Sequence, residues 1–150
     1  MERRYRFRRV VNYINLATPF GLLISVIGGA TRTPGPNGLV FAFGYRYRFP
    51  IAGAFTVGNV ILTKEQSLDD RLVLHEGRHS TQWAWCAGLP MLPLYLLSML
   101  VSIMLCGHQA SYNVFERLAG LDDGGYPHQP LWWKRSRPDP AQGQRTDAEP

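Results

Sequence analysis

The stretch LVLHEGRHSTQ, residues 72–82, decides how the rest of the chain is interpreted. His75 and His79 stand four residues apart, and Glu76 directly follows the first of them. On an α-helix, residues i and i+4 lie on one face about one turn apart, so both imidazoles can reach one Zn²⁺ ion. Glu76 points roughly a quarter-turn aside, where it can take a proton from a water bound at that ion. The spacing therefore predicts a zinc-binding helix with Glu76 as the catalytic base.

The residues before this motif favour a buried helix. Leu72, Val73 and Leu74 are all apolar. A buried helix with two histidines and a glutamate on one sector needs a compensating partner, because unpaired polar groups are costly to bury. A metal ion is the simplest partner of that kind. The alternative is an ordinary helix in which the histidine pair is accidental.

Composition predicts one domain with an affinity for lipid or for a partner. Of the 150 residues, 45% are hydrophobic and only 18% are charged, which is below the roughly 25% of a typical soluble domain. The net charge of +5 comes almost wholly from arginine, and five arginines lie in MERRYRFRR, residues 1–9. This arm, with Tyr5 and Phe7, suits either nucleic-acid bases or anionic phospholipid headgroups. The apolar segment that follows favours the membrane, so no nucleic-acid partner is expected; a solvated arm is the third alternative.

The two cysteines, Cys86 and Cys106, are too few for a disulfide framework or an iron–sulfur cluster. Both lie in apolar surroundings, and we expect them to be buried as small hydrophobic side chains.

The first half of the chain predicts short helices and then strands. Val10–Ala30 predicts one or two short helical pieces broken around Pro19, and TRTPGPNG, residues 31–38, predicts a loop. Apolar and aromatic side chains alternate over residues 39–49, which predicts a strand, and residues 55–63 predict a second strand. Gly58 within it indicates a bulge or a close backbone approach. A hairpin of these two strands, with room for one more short strand, is expected.

The second half predicts three helices. Ser67 and Asp70 have the spacing of a capping box, so we expect a helix over residues 68–87, with Gly88 as its stop. No charged residue occurs from Trp83 through Gly107. Residues 89–106 within that stretch would span only ~27 Å as a helix, against ~30 Å for a bilayer core. A marginal membrane span, a hydrophobic hairpin with residues 10–30, a half-embedded helix and a buried core helix all stay open.

A catalytic zinc site needs a third protein ligand. The downstream candidates are His108, Glu116, Asp122, Asp123 and His128. Glu116 is preferred, because apolar residues bracket it in NVFERLAG, within a helix expected over residues 109–121. Its alternative role is an ion pair with Arg117 or Arg78. His108 is expected to cap the apolar helix, and the two aspartates are expected in a turn.

The order of these segments resembles small bacterial gluzincin-type proteins. HEGRHSTQ, then GLPMLPLYLL and then NVFERLAGLDDGG carry the resemblance, which covers residues 55–126. It implies a small zincin-like α+β domain with a short hairpin or sheet, in which His75, His79 and Glu116 bind zinc and Glu76 is the base. It also implies that the strand over residues 55–63 lies beside the cleft and pairs with an extended peptide substrate. The domain is expected over residues 1–132, with a disordered tail over 133–150.

One departure from the gluzincin pattern concerns support for the ligands. Gly120 stands where many gluzincins have an aspartate that orients a histidine. We expect that support from Asn113 or Asp123. Tyr112 and Tyr126 are the candidates for stabilising the oxyanion, and Gln82 is expected to hydrogen-bond at the rim of the site.

The sequence thus predicts a zinc-dependent metallopeptidase that acts on a peptide or protein. It is expected at a membrane with its N-terminus in the cytoplasm, because arginines cluster near the start; a cytoplasmic protein is the alternative. Two other functions stay open: a catalytically silent zinc-binding module and a membrane-associated adaptor.

Overall fold

The computed structural model describes residues 1–47 and 53–134, and these residues form the expected α+β fold. In chain order, the elements are α1 (Arg3–Ile14), α2 (Ala17–Ile27), β1 (Thr31–Pro34), β2 (Val40–Phe43), β3 (Ala54–Val57), β4 (Val60–Thr63), α3 (Asp70–Trp85), α4 (Met91–Cys106) and α5 (Val114–Ala119). Short 3₁₀ turns at Pro36–Gly38 and Trp132–Lys134 complete the described chain.

The helical break near the N-terminus lies at Leu16 and not at Pro19. Leu16 has a left-handed φ of 64°, which ends α1 and starts α2. Pro19 lies in the first turn of α2, where a backbone N–H has no acceptor within the helix, so proline is tolerated there. The basic arm is also part of α1, which begins at Arg3.

The sheet has four strands in the order β1-β2-β4-β3, and this differs from the expected hairpin. β1 pairs antiparallel with β2, β2 pairs parallel with β4, and β3 pairs antiparallel with β4. The predicted loop over residues 31–38 therefore contains an edge strand. The predicted single strand over 55–63 is itself a hairpin. The predicted strand over 39–49 ends at Phe43, and the part of it beyond Tyr47 lies outside the described residues.

Gly58 explains why residues 55–63 fold back. It is the first residue of the two-residue turn between β3 and β4, and its φ of 62° is one that a type II′ turn requires there. A Cβ at Gly58 would lie 2.4 Å from the Thr18 backbone nitrogen, so the expected close backbone approach is confirmed.

The helices of the second half are shorter than predicted. The N-cap of α3 is Asp69, and no side chain caps it, so the expected capping box with Ser67 does not form. α3 ends at Trp85, before Ala87 and Gly88, which have φ values of 55° and 90°. The helix expected over 109–121 is limited to the six residues of α5, because Asn113 caps its start by accepting a hydrogen bond from Phe115 N at 3.0 Å.

A buried polar cluster holds the helices and the hairpin turn together. Asn12 on α1 donates to Ser80 O on α3 at 2.8 Å and to Asn59 Oδ1 at 3.2 Å. Asn59, in the turn between β3 and β4, donates to Thr18 Oγ1 on α2 at 2.7 Å. The cluster therefore fixes α3 against β3, and α5 packs on another side of α3.

Two expectations about burial are only partly met. Leu74, expected to be buried, is 51% exposed. Cys106 is buried as expected, whereas Cys86 is half-buried. The expected tail over 133–150 lies outside the described residues, except that Trp133 and Lys134 belong to the 3₁₀ turn.

Within residues 1–47 and 53–134, no helix taken alone has both the length and the hydropathy of a bilayer span. The α1–α2 pair meets those two criteria together, but it is bent by 72°.

Candidate metal centre

The two histidines of α3 and the glutamate of α5 converge on one point. His75 Nε2 and His79 Nε2 lie 3.0 Å apart, and Glu116 Oε2 lies 3.2 Å from the first and 3.4 Å from the second. Four ligands arranged tetrahedrally at zinc–ligand distances of ~2.0–2.1 Å are about 3.3 Å from one another. The three ligand atoms therefore form a triangle of the size that a small tetrahedral cation requires.

Side-chain hydrogen bonds fix the protonation of both rings. His75 Nδ1 lies 2.9 Å from Gly120 O, and His79 Nδ1 lies 2.7 Å from Gln82 Oε1. Both partners are acceptors, and the Gln82 amide is itself oriented because it donates to Phe115 O at 2.8 Å. Each Nδ1 must therefore carry a hydrogen, so Nε2 is the nitrogen that has the lone pair when the imidazole is neutral.

With both imidazoles neutral, three electron pairs point at one another in a buried place. His75, His79 and Glu116 are 1%, 7% and 2% exposed, and Glu116 Oε2 has no hydrogen-bond partner. Burial by itself would raise the pKa of Glu116, but the adjacent imidazoles of His75 and His79 and the Tyr95 hydroxyl hold it well below its usual value, which favours the carboxylate. An arrangement of this kind is unfavourable without a cation between the three atoms. The triad can hold a metal ion.

Glu76 lies beside the triad and is held by the sheet. Its Oε2 accepts a hydrogen bond of 2.6 Å from Thr56 Oγ1 on β3. The side chain is 3% exposed, and burial raises its pKa, an effect that the nearby His79 and the Thr56 hydroxyl reduce. Glu76 is therefore a buried carboxylate with increased basicity next to a candidate metal, which is what a general base requires.

β3 is the edge strand beside α3, and one of its carbonyls is engaged. Val57 and Val60 flank the two-residue turn, so the pairing register directs the N–H and C=O of Thr56 away from β4. Trp83 Nε1 donates to Thr56 O at 2.8 Å. The strand next to the centre is thus present as expected, with its Thr56 carbonyl bound to α3.

The turn after α5 covers His75. A Cβ at Gly124 would lie 2.5 Å from His75 Cε1, so the backbone passes directly against the imidazole. Asp123 was expected to support a histidine but does not. Its carboxylate instead accepts hydrogen bonds from Arg78 at 2.7 Å and from Arg71 at 3.3 Å. The hydrogen bond from Arg78 and then that from Arg71 lower the pKa of Asp123. Arg78 also donates to Ala119 O at 2.6 Å, so this pair attaches the turn to α3.

The other residues predicted for the site are Asn113, Tyr112 and Tyr126, and none of them contacts a histidine nitrogen. Asn113 was expected to orient a histidine. It instead caps α5 and thereby positions Glu116. Tyr112 lies under Arg117, 5.6 Å from its guanidinium carbon, and is separate from the site. The Tyr126 ring centre is 5.8 Å from that of His75. The alternative in which Glu116 pairs with Arg117 or Arg78 is wrong, because Glu116 faces the two imidazoles.

The other candidates for the third ligand lie elsewhere. His108 Nδ1 accepts from Ala110 N and Ser111 N, and Gly107 ends α4, so the imidazole organises the next turn and does not cap the helix. Asp122 pairs with His128 at the surface, in the turn where Asp122 and Asp123 were expected.

Two side chains of the site were not predicted from the sequence. Tyr95 on α4 donates its hydroxyl hydrogen to Glu116 Oε1 and so fixes the carboxylate. A single phenol within a charge-free segment was a signal that could have identified it. Thr56 had no such signal, because nothing local distinguishes it from any threonine in a strand.

Two grooves on the described surface have no residue of the centre in their lining. One is lined by residues that include Arg9, Tyr13, Leu22, Arg32 and Leu39, and a second lies along α1. Neither is lined by a residue of the triad.

Comparison of the chain with models of known protein families gives no match, and comparisons with curated proteins and with solved structures give none either. The gluzincin resemblance therefore stays a prediction carried by the motif residues.

Proposed function

We propose that the protein is a zinc-dependent metallopeptidase, with zinc held by His75, His79 and Glu116 and with Glu76 as the general base. The observation that carries the proposal is the combination at one point of a converging His-His-Glu triad and a separate buried carboxylate. A purely structural metal site needs no additional base, whereas hydrolysis does.

The donor set favours zinc among the common cations. Two imidazole nitrogens and one carboxylate oxygen, in a triangle of tetrahedral size, form a ligand set that catalytic zinc sites use. Bound there, the ion would supply Lewis acidity, which makes a water more acidic and a carbonyl carbon more electrophilic.

The protein's own groups move the proton. Glu76 accepts a proton from the attacking water, whose oxygen forms a bond to the carbonyl carbon of the peptide. The C–N bond then breaks, and the departing amine takes the proton from Glu76. Thr56 holds the carboxylate in position, and burial raises the pKa of Glu76, which makes it a stronger base.

The missing aspartate does not argue against this activity. The Gly120 carbonyl, at the position where gluzincins have that aspartate, accepts the hydrogen bond from His75 through the backbone. Gln82 orients His79. Both imidazoles therefore have the partner that keeps their Nε2 available as ligands.

An extended peptide is the substrate class that fits the neighbouring strand. β3 is an edge strand packed beside α3, and edge strands can pair with an added peptide strand. Trp83 already donates a hydrogen bond to the Thr56 carbonyl. The outward-facing Thr56 N–H is therefore the backbone group of Thr56 that can donate to a substrate carbonyl.

A catalytically silent zinc-binding module is the second candidate. The near-complete burial of the three ligands favours it, because catalysis requires one coordination position that a substrate can reach.

The test compares metal content and peptide cleavage. We expect about one zinc per chain in the purified protein, lost in His79→Ala and in Glu116→Ala. Glu76→Gln should retain zinc but reduce cleavage of a peptide library about 10²–10⁴-fold, because the amide cannot accept the proton. Glu65→Gln, at an exposed glutamate, is the matched control and should leave both unchanged.

Two results would contradict the peptidase. If the purified wild-type protein contains no stoichiometric zinc, the proposed metal centre is wrong. Zinc at full occupancy, with no cleavage by the wild type, would leave the silent module as the function.

A further inference from the structure

Helix α4 exposes large apolar side chains on most of its circumference. Its buried residues are Met91, Ser102 and Cys106, two of which are small. Apart from Pro93, the exposed ones are large and apolar, with exposures of 40–77%: Leu92, Leu94, Leu96, Leu97, Leu100, Val101, Ile103 and Met104.

Helices α1 and α2 show the same inverted arrangement, with small or polar residues facing the protein and large apolar residues exposed. α1 turns Arg8 and Asn12 toward the protein and exposes Phe7, Val10 and Ile14, which share one face. α2 buries small residues, namely Ala17, Thr18, Gly21 and Ser25. It exposes Phe20, Leu23, Val26 and Ile27. We call the exposed apolar residues of α1, α2 and α4 the outer apolar surface.

A helix on the surface of a water-soluble protein has the opposite arrangement, with its apolar stripe inward. Small and polar residues between helices, with large apolar residues outward, are typical of helices in lipid. Inward polar side chains on two of these helices donate hydrogen bonds within the protein: Asn12 donates to Ser80 O, and Ser102 Oγ donates to His108 O at 2.6 Å. The inward small and polar residues therefore pack within the protein, and the large apolar side chains are left exposed.

We propose that the outer apolar surface is embedded in a lipid bilayer that contains anionic lipids. The exposed apolar residues lie on most sides of α4 and on two further helices. A bilayer can cover all of them, whereas a single protein partner would have to surround α4. Exposed apolar area on this scale marks an interaction site.

Residues at the edges of this surface fit the headgroup region. Trp85 precedes α4 and is 80% exposed, and Trp132 lies against Gly107 at the other end of the helix. Tryptophan is enriched at both membrane–water interfaces. Arg3, Arg4, Arg6 and Arg9 are exposed on α1, next to Phe7 and Val10, and they complement anionic headgroups.

The test uses the full chain and vesicles of phosphatidylcholine, with and without about one third phosphatidylglycerol. We expect the protein to float with both kinds of vesicle, more completely with the anionic ones, and to stay bound in about 1 M NaCl, because salt screens charges but does not weaken apolar burial. Brominated lipid should quench tryptophan fluorescence, which requires no variant.

Two substitutions test the surface itself. Leu97→Glu and Met104→Glu, at residues 61% and 77% exposed on α4, should reduce vesicle binding at least about tenfold. Leu74→Glu is the matched control: Leu74 is 51% exposed on α3, one turn from Arg71 and Arg78, and should bind as wild type. Unchanged far-UV circular dichroism would show that the variants fold.

Three outcomes would overturn the proposal. The first is a monomer that stays in the aqueous fraction with both vesicles. The second is a discrete oligomer that does not float, which would assign the surface to a second copy. The third is binding to anionic vesicles alone that salt reverses, which would leave only the arginines of α1 as the contact. The proposal does not depend on zinc, so none of these results bears on the peptidase.

Discussion

At the scale of single residues, the candidate centre depends on the groups that orient its ligands. Gln82 accepts from His79 Nδ1 at 2.7 Å and donates to Phe115 O at 2.8 Å, so one amide both fixes a ring and joins α3 to α5. Tyr95 performs the corresponding task for Glu116. The histidine spacing is visible in the sequence, but the contacts of Gln82 with Phe115 and of Tyr95 with Glu116 exist only because α3, α4 and α5 meet.

We predict that Gln82→Met weakens zinc binding by about 10–100-fold, because His79 loses the acceptor that holds its ring and its tautomer. A competition titration with a chelating dye measures the affinity. Thr81→Val is the control, since the Thr81 hydroxyl donates only to Gly77 O of its own helix, at 3.1 Å. Equal affinities in the two variants would contradict an orienting role for Gln82.

At the scale of elements, the turn after α5 has two tasks. The Gly120 carbonyl accepts from His75 at 2.9 Å and from Gly124 N at 3.1 Å, and Gly124 lets the backbone lie against the imidazole. The turn is therefore both a ligand support and a cover over the centre.

We predict that Gly124→Ala destabilises the protein by about 1–3 kcal/mol and reduces zinc retention, because the new methyl group would overlap the ring of His75, which is buried and cannot move aside. Thermal unfolding and metal analysis measure the two effects. Gly53→Ala is the control, since no atom lies within 4 Å of the position that its Cβ would occupy. A Gly124→Ala protein as stable as the control would show that the turn moves freely.

The local sequence pattern predicted the helices and strands better than it predicted which of them pair or pack together. The motif helix, its ligand glutamate and the apolar helix follow from spacing and composition, and they are present as α3, α5 and α4. The hairpin at Gly58 and the parallel pairing of β2 with β4 were missed, because strand alternation does not indicate which strand lies alongside. The support of His75 was missed because it is a backbone carbonyl, which carries no sequence signal, whereas Gln82, which supports His79, was predicted to hydrogen-bond at the site.

At the scale of the whole molecule, the candidate centre lies close to the outer apolar surface. Tyr95 belongs to α4 and contacts Glu116, and the neighbouring α5 exposes Val114 and Leu118 at 57% and 69%. Only one helix therefore separates the ligand carboxylate from the face that we assign to lipid. If both proposals hold, a peptide segment lying at the membrane surface is the substrate with the shortest path to the centre.

The burial of the three ligand atoms has a kinetic consequence. A chelator, like a peptide substrate, can reach these enclosed atoms only when α5 and the following turn open transiently, and the ion can leave only then. We predict that the rate of zinc release, followed with a coloured chelator, reaches a plateau that is independent of chelator concentration, since opening is then the slow step. A rate that keeps rising in proportion to chelator would indicate direct attack through an open channel.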